Sequence, residues 1–242
     1  MKLTGNTILI TGGASGIGKG LALRFADEGN TVIICGRRRA ALDALASERP
    51  AIITRPCDLS SAAEREALVA WLRTEHPAVN VLVNNAGIQL WMAPADPDFF
   101  SRAEEEIAVN IEAPLHLTHL FLTLPHITTV VNVTSGLSFV PLAKVPVYSA
   151  TKAFFHSWTL SLRYLLASRG IEVVELIPPA LNTDLGGKGL HDHAPPVTAF
   201  IDAVFTQLND GKNEATFGFS EAMAKAGPAE QRTAFDRMNP PV

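Results

Sequence analysis

Thr11-Gly12-Gly13-Ala14-Ser15-Gly16-Ile17-Gly18 follows a short β-branched run, Thr7–Ile10, and precedes a helical pattern that opens at Lys19. Glycines between a strand and a helix let the chain turn tightly and bring backbone N–H groups against an anion. The helix N-terminus adds further donors and the positive end of its dipole. Gly12, Ser15, Gly16, Ile17 and Gly18 are therefore candidate ligands of a pyrophosphate. The order is G-x-x-x-G-x-G, not the G-x-G-x-x-G of the common dinucleotide fingerprint, and a strand-to-helix turn with no ligand shares it. The rest of the chain has to decide.

Outward from this turn, short apolar runs recur at Thr31–Cys35, Ala51–Thr54, Val79–Val83, Thr129–Val133 and Ile171–Ile177. They show little polar alternation, as strands buried on both faces do. Stretches at helical spacing separate them, among them Leu21, Phe25; Leu42, Leu45; and Ala67, Leu68, Trp71, Leu72. Six strand–helix alternations predict an α/β fold, a doubly wound parallel sheet with helices on both faces. The 242 residues hold no repeat, low-complexity tract or linker, which predicts a single domain over 1–242. Asp184–Pro196 carries three glycines, two histidines and two prolines and reads as a mobile loop. A helix over Val197–Leu208, a short run Ala215–Phe219 and a Pro-ended tail close the chain.

The second strand ends Cys35-Gly36-Arg37-Arg38-Arg39, with Arg37 19 positions after Gly18, where the group that meets an adenosine ribose belongs. A carboxylate there suits a free 2′-hydroxyl; a guanidinium fork suits a 2′-phosphate. Arg37 and Arg38 thus predict NADP(H) in preference to NAD, while Arg39 reads as solvating the next helix. Tyr148 and Lys152, four apart at the start of a helix running through Arg169, share a face. Tyrosine with a pKa near 10 is a poor base at neutral pH, and a neighbouring ammonium favours its phenolate. Alone, the pair could arise on any helix.

Together these motifs resemble the short-chain dehydrogenase/reductase family in its single-domain form. The matches run in order along nearly the whole chain: T-G-x-x-x-G-x-G at Thr11–Gly18, Asp58 after the third strand, N-N-A-G at Asn84–Gly87, Asn110, Ser135 and Y-x-x-x-K at Tyr148–Lys152. The resemblance implies a Rossmann-like fold and a hydride transfer between a nicotinamide and a carbonyl or alcohol carbon. It implies that Tyr148 exchanges the proton and that Ser135 positions the substrate oxygen. Lys152 would lower the tyrosine pKa and bind the nicotinamide ribose, and Asn110 would hold a relay water through its backbone carbonyl. Asp58 with Leu59 would meet the adenine, while Asn85, Ala86 and Gly87 would support the cofactor. Pro114, four residues after Asn110, has no N–H to close a helical bond onto that carbonyl, which leaves it free for water; alternatively it merely kinks the helix.

After the sixth strand the family pattern of Pro-Gly is replaced by Pro178-Pro179, followed by Leu181 and Thr183 at the positions of carboxamide contacts. Proline fixes φ and removes a donor, so a changed pocket wall is expected. The substrate pocket is expected from Gln89, Trp91, Leu137, Val147, Pro179 and Leu185, with the 184–196 loop. The wall is mostly apolar and favours an apolar carbonyl compound. His191-x-His193 lacks a third ligand in view, so no metal is expected, and a solvated or substrate-gating loop is. Imine or enoyl reduction on the same scaffold is the alternative chemistry, and a sensor or scaffold that binds NADP without turnover is the alternative class.

The helices around 110–124 and 153–166 are apolar nearly all round, which predicts a homodimer or homotetramer through them. Glu104-Glu105-Glu106 reads as the solvated start of the first of these. Hydrophobic residues make up 47% and charged residues 18%, with a net charge of −4. That composition excludes a disordered chain, and the absence of a basic stripe argues against nucleic acid as a partner. No apolar run approaches the roughly 18 residues of a membrane span. Met1–Gly5 leads straight into the first strand without a signal core, so a cytoplasmic protein acting on a small molecule is expected. Cys35 and Cys57, 22 apart, have neither metal nor redox spacing, and no disulfide is expected.

Overall fold

The computed structural model describes residues 1–241. Seven strands form one sheet in the order β3-β2-β1-β4-β5-β6-β7. They are β1 (Thr7–Thr11), β2 (Thr31–Gly36), β3 (Ile53–Pro56), β4 (Val81–Asn84), β5 (Thr129–Val133), β6 (Glu172–Ile177) and β7 (Glu214–Thr216). Every neighbouring pair is parallel, with Ile8 opposite Val32 and Val81 across the centre. The fold is thus the expected Rossmann-like single domain. Strand order reverses between β1 and β4, and the crevice beyond their carboxyl ends is where such sheets bind ligands.

Both faces of the sheet are buried, which explains the unbroken apolar runs. Ile8, Ile10 and Ile34 pack against Leu21 and Phe25 of α1 (Gly16–Asp27) and Phe200, Val204 and Phe205 of α7 (Val197–Asn209). Leu9, Ile33 and Leu82 point the other way, onto Leu68 and Leu72 of α3 (Ala62–Glu75) and Leu117 and Phe121 of α5 (Ala113–Phe121). The second strand connects to the third through α2 (Arg39–Glu48).

Several boundaries differ from the expectation. β3 starts at Ile53 rather than Ala51, because the Ile52 N–H closes a turn onto the Arg49 carbonyl at 2.9 Å. β4 starts at Val81 rather than Val79, whose N–H is likewise spent on the His76 carbonyl, and β6 gives up Ile171 to the turn onto Leu166. Of the 215–219 run only Ala215 and Thr216 are extended, as part of β7, which pairs with β6, and Phe219 already opens α8 (Phe219–Lys225). The tail holds a further helix, α9 (Pro228–Met238), which has no buried residue and so left no periodic trace in the sequence.

The largest correction concerns the helix that carries Asn110. It begins as α4 (Phe99–Ile107), widens into a π turn over Ala108–Glu112, and continues as α5. The Ala113 N–H bonds the Ala108 carbonyl five residues back, and Pro114 has no N–H at the next step. Glu104–Glu106 is therefore the last part of α4 and not a solvated start. Glu104 and Glu105 are exposed, but Glu106 is 0% exposed.

Candidate active site

The Gly-rich turn is held open by backbone packing. Gly12 and Gly16 have positive φ, and a Cβ at Gly18 would lie 2.3 Å from the Gly12 carbonyl oxygen. Ser15 is the N-cap of α1, yet its side chain caps nothing there, and the first turn carries no acid. The helix N-terminus thus keeps donors and a positive end for an anion. Arg38 donates to Ser15 Oγ at 2.6 Å, which places a guanidinium at the mouth of the turn. Arg37 instead lies 3.6 Å from Glu105 of α4 and also faces Asp58. Burial works against the Asp58 charge, but the Ser60 N–H and hydroxyl bonds and the Arg37 guanidinium outweigh it and hold the carboxyl below its usual range. Leu59, beside it, is buried. The turn, the helix N-terminus and the guanidiniums fit the phosphates of a dinucleotide, with Arg38 on the turn's own Ser15 and Arg37 beside carboxylates.

Thr11, one residue ahead of the glycines, ties the turn to the Asn84–Gly87 segment. Its hydroxyl accepts from the N–H groups of Asn85 and Ala86, both at 3.0 Å, and donates to the Val83 carbonyl. Asn85 Nδ2 donates to the Thr11 carbonyl at 2.8 Å. The Asn84 amide donates to Thr118 and Asn132 and so braces β4 against α5 and β5. Gly87 is a close approach, since a Cβ there would meet Asn110 Oδ1 at 3.3 Å and Lys152 Nζ at 3.7 Å. Asn110 holds the next residue from both sides, accepting from Ile88 N–H and donating to the Ile88 carbonyl, each at 2.9 Å.

Tyr148 and Lys152 lie in the first two turns of α6 (Pro146–Leu166), and Ser135 lies just beyond β5. All three are buried. Lys152 Nζ donates to the Val133 carbonyl at 2.8 Å and sits 5.6 Å from the Tyr148 ring. Burial lowers the Lys152 pKa to about 8. Burial also pushes the Tyr148 phenol well above its ordinary value, the Glu106 carboxylate pushes it further, and the Ser135 side chain draws it back. In this arrangement burial favours the neutral phenol of Tyr148. Behind them lies a cavity of about 10 Å³, lined among others by Asn84, Asn110, Pro114 and Lys152. That is about the space of one water, and the buried Asn84 Oδ1 has no hydrogen-bond partner.

The pocket wall assembles from three loops. Gln89 is buried, and a Cβ on Gly186 would come within 2.6 Å of its Nε2 and 3.2 Å of Trp91 Nε1, so the 184–196 loop lies directly on these two side chains. Thr183 faces the Gly-rich turn, with its Cγ2 3.4 Å from where a Gly16 Cβ would stand. Leu181 belongs to the core beside α1 and α7, while Leu185, Leu137, Val147 and Pro179 are half-buried near the crevice. Pro178 accepts the Gly136 N–H at 2.9 Å, a bond that needs only its carbonyl, so the proline pair is compatible with the β5–β6 closure. Among the described residues no three His, Cys, Asp or Glu side chains group as metal ligands, and no helix is long and apolar enough to cross a membrane.

Sequence reasoning missed two site features. Thr11 was visible only as part of a motif, and its role as a lock needs the fold. Glu106 lies four residues before Asn110 and so on the same helix face, a signal that its two acidic neighbours masked.

A glycine turn, an Asn-Asn-Ala-Gly brace and a buried Ser-Tyr-Lys set at one end of a parallel sheet define an oxidoreductase of the dinucleotide-binding kind. The chain belongs to the short chain dehydrogenase family, whose model matches residues 6–193. It is 42% identical to the uncharacterized oxidoreductase DltE of Bacillus subtilis (strain 168), over 99% of this chain and 98% of that one. It superposes with a TM-score of 0.84 on a short chain dehydrogenase from Burkholderia cenocepacia solved in complex with NADP, at 22% identity and over the full length of both chains. A short-chain dehydrogenase from Sphingobium yanoikuyae in complex with NADPH matches at 26% identity with a TM-score of 0.77, covering 96% of this chain and 92% of that one.

Proposed function

We propose that this oxidoreductase uses NADP(H) to interconvert a carbonyl and an alcohol on a small, largely apolar substrate. The observation that carries the reading is the buried convergence of Ser135, Tyr148 and Lys152 beyond β5, at the mouth of a turn guarded by Arg38 and Ser15. The bound nicotinamide supplies or accepts the hydride. Tyr148, held protonated by burial, donates its proton to the substrate oxygen in the reductive direction, and Ser135 fixes that oxygen by hydrogen bonding. Lys152 keeps a positive charge beneath the site and replenishes the phenol through a water held by the Asn110 carbonyl; the water-sized cavity between them supports this relay. Arg38 with Ser15, and Arg37 to a lesser extent, favour a 2′-phosphate over a bare ribose. Asp58 and Leu59 flank the adenine, and Thr183 faces the cofactor from the loop. The protein acts in the cytoplasm as a homo-oligomer. Steady-state rates on panels of ketones, aldehydes, imines and enals, with NADPH and NADH in parallel, test the reading. Turnover of a carbonyl compound with preference for NADPH is expected, and turnover confined to imines or enals would replace it with the alternative chemistry.

A further inference from the structure

Glu106 is a buried carboxyl that the proposed reaction does not use. It is 0% exposed, one helical turn ahead of Asn110 on α4, and α4 packs against α6, which carries Tyr148. Its Oε1 accepts the Leu90 N–H at 2.5 Å, while its Oε2 is buried with no hydrogen-bond partner. Among the described residues no basic side chain forms an ion pair with it. Arg102, on the same helix, is 4.0 and 3.6 Å from Asp96 and Asp98 and donates to the Trp91 carbonyl. A carboxyl without a salt-bridge partner costs stability in such a place, because burial disfavours its charge. A neutral side chain of the same shape would avoid that cost, so its position calls for a cause.

We propose that Glu106 is a positioning residue of the reaction, clamping the Leu90 backbone that walls the substrate pocket and setting a carboxylate charge against Tyr148. This rests on the reading of Tyr148 as the proton-exchanging group. The Leu90 bond fixes the segment between Gln89 and Trp91, on which the 184–196 loop sits, so the clamp bears on substrate binding. The charge bears on the proton. Burial raises the Glu106 pKa to about 7, against the Leu90 N–H and Arg102, which lower it, and with Glu105, which raises it. The group therefore changes charge across neutral pH. The groups facing it are Arg102 and Glu105 on its own helix and Tyr148 on α6; Lys152, further along α6, is turned to the Val133 carbonyl. An anion beside a phenol opposes its ionisation. Above about pH 7 the carboxylate thus holds Tyr148 in the form that gives a proton to a carbonyl and works against the phenolate that alcohol oxidation needs.

The chain has only two tyrosines, Tyr148 and the exposed Tyr164. Incorporating a fluorinated tyrosine of lower intrinsic pKa into a Tyr164→Phe background therefore gives a spectroscopic titration of position 148 alone, with no substrate or cofactor required. Glu106→Gln keeps an acceptor for Leu90 and loses the charge; Glu106→Met loses both. Both variants should lower the phenol midpoint by about one pH unit, equivalent to a tenfold gain in phenolate at fixed pH. The rising limb of alcohol oxidation should move to lower pH by the same amount. Only Glu106→Met should raise the substrate KM as well. A midpoint unmoved in the folded variants overturns the proposal. Tyr148→Phe, assayed alongside, separates the two claims: activity retained in that variant defeats the reading of Tyr148, whereas an inactive Tyr148→Phe with an unmoved Glu106 midpoint removes only the role of Glu106.

Discussion

At the scale of single residues, burial and hydrogen bonding assign different tasks to groups of similar chemistry. Tyr148 and Lys152 are both buried, which raises one pKa and lowers the other. Replacing Tyr148 with Phe removes only the hydroxyl, and the loss in turnover should be about 10³-fold or more with cofactor binding by fluorescence titration little changed. Because Lys152 sits at about 8, carbonyl reduction should fall as pH rises through that value and its ammonium is lost; a pH–rate profile flat from 7 to 9.5 would contradict this. The two arginines diverge as well. Arg38 reaches Ser15, while Arg37 is shared with carboxylates. Arg38→Ala should therefore raise the NADPH KM by about tenfold to a hundredfold, with far less effect on NADH, and Arg37→Ala should do less. The sequence offset pointed to Arg37 with Arg38 beside it, and counting along a strand cannot see that Glu105 of α4 lies near Arg37.

At the scale of elements, the π turn and the sheet edge decide most. Strand and helix order was legible because burial on both faces leaves continuous apolar runs and the glycine turn marks the first crossover. The start of α4 at Phe99 was not legible: three consecutive acids look like a solvated cap, whereas one of them points inward. The helices beyond Thr216 were missed for a related reason, since α9 buries nothing and so carries no period. A half-buried imidazole on a buried carboxylate braces the site from behind. His156 on α6 lies 2.8 Å from Glu175 in the middle of β6, and Thr134, next to Ser135, donates to the same carboxylate at 2.7 Å. Glu175 is fully buried, so removing the imidazole leaves its carboxylate with the Thr134 hydroxyl alone; His156→Ala should cost about 3 kcal/mol by chemical denaturation. The Glu175 hydrogen bond raises the His156 pKa above 6.5, against the opposing effect of burial. The stabilisation is complete below that ordinary value and is lost as pH rises through the raised one. The stability gap between wild type and His156→Ala should therefore narrow from pH 6 to pH 9.

At the scale of the whole molecule, a sheet buried on both faces accounts for much of the apolar composition, and the outer surface of two helices for more. Phe100 and Ile107 on α4, and Phe154, Leu160, Tyr164 and Leu165 on α6, are exposed, with Tyr164 at 85%. Single exposed apolar residues are ordinary, but this many on two adjacent helices suit a subunit interface. Sedimentation should give a multiple of the 25.9 kDa chain, and Tyr164→Glu with Leu165→Lys should dissociate it; a wild-type monomer at micromolar concentration would contradict the oligomer. The crevice between β1 and β4 gathers the glycine turn, the Asn-Asn-Ala-Gly brace and the Ser135–Tyr148–Lys152 set onto one end of the sheet, and the central claim is that these act together on a carbonyl. The most direct test is NADPH consumption by wild type and Tyr148→Phe on the same panel of ketones and aldehydes. Wild type should consume NADPH faster than NADH with at least one of them while Tyr148→Phe is inactive. Equal rates for the two proteins, or no carbonyl turned over by wild type, would contradict the account.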